Sequence, residues 1–143
     1  MSTNPPSNSN AHLLDPQHLI LRESAPSSLF VASTQVADRH AHEIGFYDAG
    51  SRHSLLTSIE GTDQQDWPAS PALQQVYQQH VDSDPVILAV GMAGNSHFSM
   101  SAKIMGAAGE NVLIEMACLI KKGTDLPADA FLGTTYQLSL IHI

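Results

Sequence analysis

Two histidines one residue apart, His40 and His42, carry the sharpest chemical signal in the chain. Alternate residues of a β-strand share a face, so His40-Ala41-His42 aims both imidazoles the same way. Two such rings can chelate one divalent cation, and His53 or His97 could supply a further nitrogen. His53 lies across a hairpin expected at Asp48-Ala49-Gly50-Ser51, whereas Glu43 points to the opposite face and is a poor third ligand. The plainer reading of the same residues is one polar, half-exposed strand face with no metal.

A cupin-like metal site sets a carboxylate a few residues beyond its H-x-H pair, inside a glycine and proline pattern. Here the acid follows at once and that pattern is missing. Gly91-Met92-Ala93-Gly94-Asn95-Ser96-His97 is a second place to look. Its glycines could open backbone N–H groups to an anion, yet no lysine follows and no helix begins there. A tight strand connection explains it more simply. Ser96 and His97 are neighbours whose side chains diverge on a strand, so they make no nucleophile–base pair. A third feature is the long segment Glu60–Pro71, holding the only tryptophan, Trp67. Trp67 either plugs one end of the core or forms a rigid aromatic contact with a ligand or partner. Any binding surface is expected where this segment meets Asn95, His97 and Phe98. Cys118, the one cysteine, sits in an apolar run and reads as a small core residue. No catalytic set emerges, and no cofactor beyond a divalent metal on the histidines is suggested.

The elements that must hold these residues read as short strands between turns. Runs over 18–22, 28–34, 39–48, 53–60, 73–81, 86–91, 97–105, 111–120 and 132–137, spaced by turn signals, point to an all-β fold. The expected architecture is an antiparallel meander closing as a β-sandwich or partly open barrel. Turns are expected at Asp48–Ser51, Asp82–Pro85 and Gly106–Asn111. Val86–Val90 is apolar at every position, which predicts a central strand covered on both faces, and Asn111–Ile120 behaves similarly. His97–Met105 alternates, so its row His97, Ser99, Ser101, Lys103 should face solvent or a groove. The spacing of Leu73–Val81 slightly favours a helix started by Ser70-Pro71.

Four motifs, Ser58-Ile59-Glu60-Gly61-Thr62, Trp67–Gln74, Val90–Ser101 and Leu132-Gly133-Thr134-Thr135-Tyr136, together resemble a family of small all-β bacterial proteins of planctomycete type. The resemblance covers about His40 to Tyr136. It implies an all-β fold, hence a strand rather than a helix at Leu73–Val81, and it supplies no catalytic residues.

The chain has 143 residues with a formal charge of −8 and only 14% charged residues, which suits one domain. Six scattered Lys and Arg argue against nucleic acid, because phosphate contacts need clustered positive charge. No apolar run approaches a membrane span, and the start of the chain lacks the charged and apolar regions of a secretory signal. A cytoplasmic protein is expected. Residues 1–17 read as a flexible leader, 18–137 as a single β-domain, and 138–143 as the in-frame translation of a sequencing adaptor, set aside from functional reasoning. The function expected is a non-enzymatic domain that binds a small ligand or a protein, with a further protein or a second copy as partner. The alternative is a cupin-like metal-binding domain or metal-dependent enzyme on the His40/His42 face.

Overall fold

A computed structural model describes residues 18–22, 29–121, 123–128, 130 and 132–139. The leader over 1–17 and residues 140–143 lie outside the described residues. Among the described residues nine strands follow in chain order: β1 (His18–Arg22), β2 (Leu29–Val36), β3 (Arg39–Asp48), β4 (Ser51–Ser58), β5 (Gln75–Val81), β6 (Asp84–Ala93), β7 (Ser96–Met105), β8 (Asn111–Ile120) and β9 (Tyr136–Leu138). They form two antiparallel sheets, β1-β2-β3-β4-β9 and β5-β6-β7-β8, packed as a sandwich. No helix among the described residues is long and apolar enough to cross a membrane.

The turns follow local chemistry. Ala49 and Gly50 between β3 and β4, and Asp82 and Ser83 between β5 and β6, all take positive φ. Two-residue turns of that kind twist with the strands they join. Pro85 pairs with His80 near the start of β6, where the sheet is not yet deep. Position 73–81 is a strand from Gln75, as the resemblance implies and against its helical spacing.

The core lies between the sheets. Val31 of the first sheet meets Ile87, Ala89, Ala93, Phe98, Met100 and Ala102 of the second, with Ala72 and Leu73 filling the seam. Each large apolar side chain buried there contributes about 1.5–3 kcal/mol. Cys118 packs against this cluster only half-buried. Trp67 is likewise half-buried and outside the core cluster, so it does not plug the core.

One expectation about the strands is corrected in part. β6 is an inner strand of its sheet, and the sandwich covers its inner face at Ile87 and Ala89. On its outer face Val86 is buried and Leu88 half-buried, while Val90 and Met92 are exposed. β8 is an edge strand with Leu113 and Leu119 exposed. An apolar run shows that a strand tolerates burial on both faces, and the sandwich covers only one of them.

The segment joining the sheets, residues 59–74, is a strap bound at many points. Ile59 and Ala69 exchange backbone hydrogen bonds with Thr135, His40 N–H donates to Leu73 O at 2.7 Å, and Gln74 N–H donates to Val90 O at 2.9 Å. The Gln74 side-chain amide then imitates one more strand residue. Its Nε2 donates to Met92 O at 2.8 Å and its Oε1 accepts from Met92 N at 2.9 Å. Gly91 lies so close to the Ala72 carbonyl that a Cβ would strike it, and Gly94, at φ +53°, turns β6 into β7 against Asp66. The glycines of Gly91–Gly94 therefore serve a strap crossing and a turn. Gly91→Ala should lower unfolding free energy by about 2–3 kcal/mol through backbone overlap. Gly94→Ala should cost about 1–2 kcal/mol, mainly through its left-handed conformation, since its added Cβ meets only the Asp66 side chain and no backbone. Urea unfolding of both variants tests this, and equal losses would contradict the overlap argument.

Candidate functional site

The histidines separate into unlike environments. β3 turns His40 and His42 inward, beneath the strap, where they are 8% and 2% exposed. His53, on β4, stacks on Phe46 of β3 with ring centroids 4.9 Å apart. His97 belongs to the other sheet and stands on its outer face. Among the described residues no group of three His, Cys, Asp or Glu side chains could hold a metal ion. The shared face expected of His40 and His42 is present, but it is a buried face and not a half-exposed one.

Around His42 the inner face carries a polar cluster. His42 N–H donates to Ser58 Oγ at 2.9 Å, and that hydroxyl donates to Glu60 Oε1 at 2.6 Å. His42 Nε2 and Tyr136 Oη share a hydrogen bond of 2.7 Å with the rings edge-on. Arg39, almost wholly buried, grips Asp38 with two nitrogens at 3.0 and 3.2 Å. That bond holds the Asp38 carboxyl below the usual carboxylate range. Burial lowers His40 and pushes His42 down to about 4. Burial raises Glu60, opposed by the Ser58 hydrogen bond and the Arg39 charge. It also raises Tyr136, and the Glu60 charge adds to that rise. Except for Asp38, which is 44% exposed, these groups are wholly or partly buried, so the cluster ties β3, β4 and β9 to the strap rather than facing a substrate. Its members Ser58, Glu60 and Tyr136 come from the first and last of the four sequence motifs.

The open site lies elsewhere. A groove of about 700 Å³ crosses the outer face of the second sheet. Its rows follow the strand register: Gln75, Val90, Ser99 and Ala117 in one, Met92, His97 and Leu119 in the next. Leu119 is 70% and Met92 47% exposed. The face continues past Ser99 into a smaller hollow of about 240 Å³ beside Leu88, Ser101 and Glu115. The large groove is apolar in its walls, with His97, Ser99 and the amides of Gln74 and Gln75 as polar points. Among the described residues no carboxylate lines it. Such a surface can bind and orient an apolar group and offers no paired acid and base for chemistry.

Of the residues expected at a binding surface, His97 and Phe98 line this groove, Phe98 from the buried floor. Asn95 sits in the turn between β6 and β7 and accepts from Lys121 N through its carbonyl. Trp67 stays in the strap and lines no wall of the groove. The strap does meet this end of the sheet, through Asp66 at Gly94 and Gln74 at Met92. Sequence reading missed Val90, Met92, Ala117 and Leu119. Val90, Ala117 and Leu119 lie in runs whose apolar character predicts burial, and Met92 lies in the Gly91–His97 segment that reads as a tight strand connection. No family model matches the chain, and no curated protein or solved structure matches it either.

The buried imidazole has a consequence in solution. Its pKa is depressed in the folded state, so the unfolded chain takes up a proton first as pH falls below 6.5. His42 thus contributes its full stability above pH 6.5 and loses it towards pH 4, a total of about 3 kcal/mol. Glu60, raised by burial, works in the opposite sense at the acid end. Urea unfolding at pH 7, 6 and 5 should show falling stability that flattens in His42→Gln. An unchanged slope in that variant would contradict the assignment.

Proposed function

We propose that this protein is a non-enzymatic binding domain whose outer groove takes a small apolar ligand. The observation that carries the reading is the groove itself, about 700 Å³ in volume, with mainly apolar walls drawn from all four strands of one sheet. Ligand sites of this size combine apolar walls with a few fixed polar groups. Val90, Met92 and Leu119 supply the walls, and His97 and Ser99 orient a polar end of the ligand. Exposed apolar residues set side by side on a sheet also gain more from being covered than residues scattered singly.

A protein surface laid along the same face is the second reading. It is favoured by Tyr77 and Leu113, exposed on that face outside the groove. The metal reading has no comparable support, since His40 and His42 are enclosed while His53 and His97 lie elsewhere.

The test uses N-phenyl-1-naphthylamine, a neutral apolar dye that fluoresces on burial. Met92→Lys and Leu119→Lys should each weaken dye binding at least about tenfold, or 1.4 kcal/mol. Leu126→Lys, at an exposed position away from the groove, should leave it unchanged. Dye affinity equal to wild type in both groove variants would contradict the proposal.

A further inference from the structure

We propose that β8 is a self-association edge, pairing antiparallel with β8 of a second copy to join two four-stranded sheets into one of eight strands. β8 ends its sheet, and its register with β7 runs unbroken from Met105↔Asn111 to Ser96↔Ile120. Natural edges are blunted by shortness, proline, bulges or lysines. β9, at an edge of the other sheet, spans only Tyr136–Leu138. β8 is ten residues long, with neither Pro, Gly, Lys nor Arg and one charge, Glu115.

The hydrogen-bonding sense of the ladder is fixed at its end. Lys121 N–H donates to Asn95 O at 3.2 Å, so odd-numbered residues of β8 direct their backbone groups to β7. The N–H and C=O groups of Val112, Ile114, Met116, Cys118 and Ile120 therefore point outward from the sheet. The returning chain meets this edge near Met116: Thr134 Oγ1 donates to Met116 Sδ at 2.8 Å, and Leu132 and Gly133 border a hollow with Met116, Ala117 and Cys118. Among the described residues no backbone hydrogen bond runs between that returning chain and β8.

A two-fold axis at Met116 gives every one of those groups a partner. It sets Val112 against Ile120 of the second copy and Ile114 against Cys118. On the outer face it sets Leu113 against Leu119, two exposed apolar residues. The strand ends are complementary in charge, while the two Glu115 side chains stand diagonally across the axis. β8 follows an acid, Glu110, and precedes a base, Lys121, so antiparallel pairing brings the acidic end of each strand to the basic end of the other. Like strands in a C2 interface make each such contact twice. The grooves, which reach β8 at Ala117 and Leu119, then become neighbours across the axis.

Light scattering and amide hydrogen exchange on the full chain test this. Expected are a concentration-dependent dimer and slower exchange of the Val112, Ile114, Met116, Cys118 and Ile120 amides as concentration rises. Residue 111 faces Lys121 of the second copy, outside the groove. Asn111→Asp should tighten association about three- to tenfold and Asn111→Lys weaken it by a similar factor. A monomer at about 1 mM, or a dimer indifferent to residue 111 with those amides still exchanging freely, would overturn the proposal. Dye binding that persists in such a monomer would leave the groove reading standing, so the two fail separately.

Discussion

Where the chain crosses from one sheet to the other, the backbone of Ala72 rests directly on Gly91, with no room for a side chain between them. Much of the arrangement follows from that contact. It sets Leu73 O within reach of His40 N–H on the first sheet and Gln74 beside β6 on the second. Ala72 and Leu73 are then buried in the seam between sheets. Backbone hydrogen bonds to both sheets from consecutive residues leave little freedom for one sheet to slide on the other. The outer face carrying the groove inherits its position from this crossing, because Gln74 completes the edge of β6 where Met92 begins the groove wall.

The same crossing divides the histidines by role. Beneath the strap, His42 is kept neutral by burial and exchanges hydrogen bonds with Ser58 and Tyr136. An imidazole whose ring is enclosed in this way is a structural polar group: it links strand to strand and is costly to protonate. His97, by contrast, stands among Met92, Ser99 and Leu119 on an open sheet face. There an imidazole is free to meet a ligand. Function is therefore better sought on the face that the fold leaves uncovered than in the residues whose spacing first suggests metal chemistry.

Much of the architecture was legible because it depends on local rules. Asp82-Ser83 and Ala49-Gly50 announce turns, and the alternation of His97–Met105 announces a strand with one polar row. The site was harder to read. Val90 and Met92 look identical, as residues, to Ile87 and Ala89, and only the placement of the second sheet decides which face stays open. The H-x-H pair fixes a shared face without saying whether that face meets water or the strap. Tyr136 is distant in sequence from Ser58 and Glu60, and only the β4–β9 pairing brings it opposite Ser58. Residue 73–81 shows the converse: its helical spacing is overridden by pairing along β6.

Nuclear magnetic resonance mapping of N-phenyl-1-naphthylamine on the full chain tests the central claim most directly. The account predicts shift changes concentrated at Val90, Met92, His97, Ser99, Ala117 and Leu119, with His40 and His42 unaffected. Changes centred on His40, His42 or Trp67, with the outer face of the second sheet silent, would contradict it.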